Sequence, residues 1–171
     1  MDGEGTDHCE VTTMDHNVER WKQAGRIAVW MNPHTKDESW NLTTDAAGCP
    51  SLIELVDLMA LASYPARRTL QVTKPNFTPD HGGRWKIRVA QSFRIAHDRE
   101  SFVPDHFVLS EYEPKRLVLE LGVESISMFR KALVDIDQRG GDYSIGNKTK
   151  GSDCLWVWWT GNDYWDSPKP K

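Results

Sequence analysis

The stretch WKIRVAQSFRI, residues 85–95, decides the fold class that we expect for this chain. Its apolar side chains recur at every second position from Trp85 to Ile95, and Gln91 is the one polar residue in that series. Lysine, arginine and serine occupy most of the alternate positions. Because successive side chains of a strand point to opposite faces of a sheet, this pattern predicts a strand with one apolar and one basic face.

Shorter runs of β-branched, aromatic and aliphatic residues predict further strands on both sides of this stretch. They cover residues 26–31, 40–44, 69–73, 106–112, 116–121, 142–145 and 154–160. Connections of hairpin length dominate between them, so we expect a mostly antiparallel sheet of about seven or eight strands.

Two segments have the spacing of amphipathic helices. Ser51 and Glu54 match the capping box S-x-x-E, and apolar residues follow at i, i+3, i+4 and i+7. Residues 124–138 form the second such segment, and Gly140 fits the end of a helix. The resulting order, ββαββββαββ, predicts an α+β fold with both helices packed on one sheet. The similar surroundings of the two helices suggest two ββαβ units within that sheet.

The chain of 171 residues has the length of one domain and can bury a core without disulfides or metals. Residues 1–20 are polar and lack periodicity, which predicts a flexible N-terminal arm. A single α+β domain is expected over residues 21–165. The proline-rich end, residues 166–171, predicts a frayed tail.

Charge and motif content exclude several classes of protein. The net charge of −4 disfavours a nucleic-acid coat or a binder of anionic membranes. The N-terminal region has no apolar signal run, no apolar stretch is long enough to cross a bilayer, and the three cysteines match no zinc or redox motif. We therefore expect a soluble, cytoplasmic protein without a cofactor.

Eight tryptophans are the unusual feature of the composition. Strand 154–160, CLWVWWT, carries three of them, and strand 85–95 supplies a basic face. Tryptophan and arginine are enriched at protein interfaces, so we expect a non-enzymatic protein that binds another protein, in an immunity-type or regulatory role in a bacterium. The residues predicted for this binding face are Lys86, Arg88, Arg94, Trp156, Trp158, Trp159 and Trp165.

Three other interpretations stay open. The tryptophans fit the core of a central strand, with the basic residues forming a solvated face. His81, His97 and His106 lie at predicted strand ends, where they could converge on a metal ion in a metal-dependent enzyme. Tryptophans beside arginines could also stack the bases of a single-stranded nucleic acid, although the acidic balance counts against it. No residue of the chain is assigned a catalytic role.

Overall fold

The computed structural model describes residues 15–31, 39–75, 87–138, 141–146, 154–158 and 165. Three helices lie in this part of the chain: α1 (Asp15–Arg20), α2 (Gly48–Leu61) and α3 (Val123–Asp137). The nine strands are β1 (Ile27–Met31), β2 (Trp40–Thr44), β3 (Ala66–Gln71), β4 (Arg88–Val89), β5 (Ser92–His97), β6 (Phe107–Glu113), β7 (Arg116–Leu121), β8 (Tyr143–Gly146) and β9 (Cys154–Trp158). The α+β class and the mostly antiparallel pairing are therefore confirmed. None of the described helices is both long and apolar enough to span a membrane.

The strands form two sheets instead of the predicted single one. The five-stranded sheet has the order β4-β1-β2-β9-β8, and the four-stranded sheet has the order β3-β5-β7-β6. Each sheet contains one parallel pair, β2 with β9 and β5 with β7, and all other neighbours are antiparallel. A period of two indicates that a segment is a strand, but it does not indicate which sheet the strand joins.

The prediction of one continuous strand over residues 85–95 is wrong, because this stretch passes from one sheet to the other. Ala90 and Gln91 separate β4 from β5, and their backbone amides donate to Val29 O and Lys115 O at 2.8 and 2.7 Å. Val89 packs in a small cluster with Trp30 and Trp165, whereas Phe93 and Ile95 of β5 belong to the main core. The apolar alternation continues from β4 through Ala90 and Gln91 into β5 because the clusters on both sides are apolar. Gln91, the polar interruption, lies at the turn itself.

The two halves of the chain repeat one order of elements, as the similar surroundings of the helices suggested. The repeated unit is ββαββ, and each copy contributes strands to both sheets. The first half of the chain runs β1-β2-α2-β3-β5, with β4 as an addition, and the second half runs β6-β7-α3-β8-β9. Each half places its hairpin in one sheet and its last two strands in the other. The second strand of each hairpin then pairs in parallel with the last strand of the other half. The two halves are thus interlocked, and α2 packs against α3.

One apolar core joins both sheets to the two long helices. Its fully buried members include Leu42 and Leu155 from the five-stranded sheet, Leu119 from the four-stranded sheet, Leu55 from α2 and Phe129 from α3. Burying one such side chain contributes about 1.5–3 kcal/mol to folding. The outer faces of both sheets point away from this core.

The predicted capping box is wrong, although the helix that it announced exists. α2 begins at Gly48, three residues before Ser51. Ser51 lies within the helix, and its hydroxyl accepts the Ala24 amide at 2.9 Å. The capping contact comes from Asp45, whose Oδ1 accepts the Gly48 amide at 2.7 Å. Asp45 lies three residues before the first residue of the helix, outside the S-x-x-E pattern from which the sequence predicts the cap.

Part of the predicted flexible arm is ordered against the domain. Residues 15–20 form α1, where Val18 is buried, and Trp21 follows it with an indole Nε1 that donates to Ser51 O at 3.0 Å. The Arg68 guanidinium donates to the carbonyls of Glu19 and Trp21 at 2.8 and 2.7 Å. Residues 1–14 and the predicted tail, 166–171, lie outside the described residues.

Candidate binding site

The outer face of the four-stranded sheet is the most open sheet surface among the described residues. Phe93, Ile95 and His97 of β5 are buried on the core side, so their neighbours Arg94 and Ala96 point outward. The strand register sets the rows of this outer face. One row reads Arg67, Ala96, Glu120 and Val108, and the next reads Thr69, Arg94, Val118 and Ser110.

A groove of about 370 Å³ crosses this outer face. The small side chains of Ala96 and Val118 occupy the two central strands, and larger side chains surround them. Residues around the groove include Arg67, Arg94, Glu120, Phe102 and Tyr112.

Arg94 projects beside the groove in a fixed orientation. Its Nε donates to Thr69 Oγ1 at 3.1 Å, and its guanidinium carbon lies 5.3 Å from the centre of the Tyr112 ring. This cation–π contact leaves the positive charge in place. Tyr112 itself is 42% exposed. Arg94 makes no ion pair with any carboxylate in the described part of the chain.

Arg67 is the second cationic side chain at the groove. It is exposed, and its guanidinium makes no hydrogen bond or ion pair with the described residues. Some other surface arginines have a carboxylate partner, as Arg116 has in Glu113 at 3.0 Å and Arg130 has in Asp57. The groove therefore holds two arginine charges that have no carboxylate partner among these residues.

Two carboxylates also line the groove, and both are engaged. Asp98 accepts the backbone amides of Glu100 and Ser101, each at 3.0 Å. Hydrogen bonds from Ser101 and Glu100 hold the pKa of Asp98 below its usual value. Glu120 Oε2 lies 3.3 Å from His106 Nε2, and the His106 ring stacks on Phe102 with 4.2 Å between ring centres.

The predicted histidine cluster does not assemble among the described residues. His97 is 2% exposed, on the core side of β5, with Nδ1 2.7 Å from Leu121 O. His106 reaches the outer side, towards Glu120. His81 lies outside the described residues. In the described ranges, no group of three or more histidine, cysteine or acidic side chains could hold a metal ion.

The predicted binding face is divided between the two sheets. Arg88 lies on β4 in the five-stranded sheet, with its guanidinium 5.5 Å from the Trp40 ring centre and in an ion pair with Glu111. Arg94 lies on β5 in the other sheet. The prediction that both share one face is wrong, because the chain turns between them. Lys86 lies outside the described residues.

The tryptophans predicted for that face belong to the outer side of the five-stranded sheet. Trp156 and Trp158 are half-buried and stack with 5.9 Å between ring centres. Trp158 Nε1 donates to Asn41 Oδ1 at 2.6 Å. Trp165 is only 2% exposed, beneath the Arg26 guanidinium at 5.1 Å, so it is a packed residue and not a contact residue. Trp159 lies outside the described residues.

Two residues of the groove had weak or no signal in the sequence. Arg67 is one of two consecutive arginines, and only the strand register shows that Arg67 points outward while Arg68 clamps the chain that follows α1. Tyr112 is an aromatic residue in the acidic run Glu111–Glu113, a pattern that by itself indicates only a solvated strand.

Comparisons of the chain with family models, with curated proteins and with solved structures found no match.

Proposed function

We propose that this protein is a non-enzymatic binding protein that engages another protein through the outer face of its four-stranded sheet. The observation that carries the proposal is the pair Arg67 and Arg94, two cationic side chains without a carboxylate partner in the described region, beside an open groove. Arginine and tyrosine are enriched at the energetically important positions of protein interfaces, which supports the same use of Arg94 and Tyr112.

Other features agree with such a role. The net charge is −4, which is unlike a nucleic-acid binder, and Arg88 and Arg94 do not combine into one basic strip. Cys49 is a buried thiol that forms no disulfide, as is usual in a reducing compartment, so we place the protein in the cytoplasm. Small size and mild acidity favour an immunity-type or regulatory protein of a bacterium, by analogy of general character.

Site-specific photocrosslinking tests the proposal. A photoreactive amino acid is placed at Ser110, which lies on the outer face of β6, and in a matched variant at Lys131, an exposed position on α3. In extracts of the cells that make the protein, we expect a discrete adduct from position 110. Excess unlabelled protein should compete it away, and Arg94→Glu should weaken it. The proposal fails if no such adduct forms, or if position 131 gives the same adduct.

A further inference from the structure

We propose that the groove between Arg67 and Arg94 recognises a carboxylate, supplied by an acidic segment of the partner protein. This inference deepens the proposed function and rests on it. Arg67 and Arg94 both line this groove, so two arginine side chains border the same open volume.

Charge is the first argument. A guanidinium presents a planar fork of donors that matches the two oxygens of a carboxylate. The Nε of Arg94 is engaged by Thr69, and its ring contact with Tyr112 orients the remaining donors without neutralising them. Arg67 is exposed on β3, two residues before Thr69, so the two guanidinium groups extend from adjacent strands.

The engaged acids decide between a carboxylate and a phosphate. Glu120 and Asp98 line the same groove, so two carboxyl groups border the ligand volume beside the two arginines. Because these two acids offset the two arginine charges, the second charge of a dianionic phosphate gains little net attraction here over a singly charged carboxylate. Both acids are also held by other groups, Glu120 by His106 and Asp98 by its own turn, so neither occupies the arginines.

The rest of the groove suits a peptide. Ala96, Val118 and Phe102 contribute apolar surface to the lining of the groove, beside its charged residues. A side chain next to the acidic residue can cover this apolar surface. An acidic segment of a protein supplies both parts, a carboxylate for the arginines and apolar atoms for the apolar surface.

The test is an NMR titration of the full chain with a defined probe, acetylated and amidated hexaglutamate, at constant ionic strength. We expect saturable shifts at the backbone amides of Arg67, Arg94 and Tyr112. Since a hydrogen bond to a charged group typically exceeds one kcal/mol, Arg94→Gln or Arg67→Gln should weaken binding by about tenfold. Arg116→Gln is the matched control, because Arg116 is exposed on the same sheet and already paired with Glu113, so it should leave binding unchanged.

Three results would overturn the inference: no saturable shift, equal weakening by Arg116→Gln, or tighter binding of inorganic phosphate than of hexaglutamate at the same amides. Arg67 is exposed, so its variant tests the site even if Arg94→Gln disturbs the sheet.

The proposed function can fail separately. If the adduct at position 110 forms but survives in the Arg67→Gln, Arg94→Gln double variant, the carboxylate inference is wrong and the binding function stands. If hexaglutamate binds as described and no adduct forms, the carboxylate site stands and the binding function is wrong.

Discussion

Replacing Asp45 with alanine should remove the contact that joins β1, β2 and the start of α2. Its Oδ1 accepts the amides of Arg26 and Gly48 at 2.9 and 2.7 Å, and its Oδ2 accepts Arg26 Nε at 3.0 Å. The Asp45 side chain is 14% exposed, whereas that of Arg26 is 36% exposed, so solvent screens the ion-pair part of the interaction. The backbone contacts therefore carry most of the effect.

The magnitude follows from these contacts. Loss of a capping side chain costs about 0.5–2 kcal/mol, and a hydrogen bond to a charged group contributes about 1.5–3 kcal/mol. Because the ion pair is screened and these contributions overlap, we expect Asp45→Ala to lower the free energy of unfolding by about 2–4 kcal/mol. In a protein of this size, that is a fall in Tm of about 5–15 °C. Asp45→Asn keeps one acceptor oxygen and should lose about half as much.

The same carboxylate predicts a dependence on pH. Burial raises the pKa of Asp45, but hydrogen bonds from the Arg26 backbone and side chain and from the Gly48 amide outweigh it, and the pKa lies below its usual value. A depressed folded-state pKa stabilises the protein above the unfolded-state pKa of about 3.9, and this contribution is lost as the pH falls through the folded value. The stability gap between wild type and Asp45→Asn should therefore narrow below about pH 4.

Urea unfolding followed by circular dichroism, at pH 7 and at pH 3, measures both effects. Asp57→Asn is the matched control, because it removes an aspartate from an exposed ion pair between α2 and α3, and its effect should be small. The reasoning is refuted if Asp45→Ala costs no more than Asp57→Asn. It is also refuted if the gap for Asp45→Asn keeps its full size at pH 3.

Three further predictions concern the core and the glycine at the start of α3. Phe129→Ala should cost about 3–5 kcal/mol in urea unfolding, and a loss as small as that of exposed Met128→Ala would contradict the core assignment. Gly122→Ala should lower Tm clearly in thermal unfolding, because its Cβ would lie 2.1 Å from Val103 O; an unchanged Tm would argue against this close contact. Burial raises the pKa of Cys49 to about 11, so native protein at pH 8 should resist alkylation of Cys49 by iodoacetamide. Peptide mass spectrometry measures this labelling, and labelling as fast as in urea would contradict the burial of Cys49.

Local patterns in the sequence predicted most of the individual elements. Residues 40–44 and 116–121 are strands at the predicted bounds, and the helix predicted for 124–138 spans Val123–Asp137. Strand 116–121 and the helix have one buried face and therefore a clear period of two or of 3.6, whereas residues 40–44 are buried on both faces and were predicted from their aromatic and β-branched composition. The predicted order of strands and helices along the chain was confirmed, apart from the short α1 and the division of residues 85–95 into β4 and β5.

The arrangement of the elements depends on information that periodicity does not contain. Gln91 breaks an apolar series at one position, which fits a corner between sheets and equally fits a polar residue in one strand. The groove forms because Arg67 of β3 lies near Arg94 of β5. The register between these two strands, which are distant in sequence, determines that proximity. The prediction that arginines and tryptophans share one binding face is wrong for the same reason, because Arg94 and Trp156 belong to different sheets.

The exchange of strands between the two halves has a consequence for how the chain is synthesised. β1 and β2 leave the ribosome early, but β9, which lies between β2 and β8, is translated last. The sheet that is begun first is thus completed last, and until then one edge of β2 stays open. An open edge can pair with another chain, so a nascent or truncated copy would accept β8 and β9 of a neighbour. Two copies that exchange β8 and β9 reciprocally would form a strand-swapped dimer that keeps every contact of the monomer except those at the hinge.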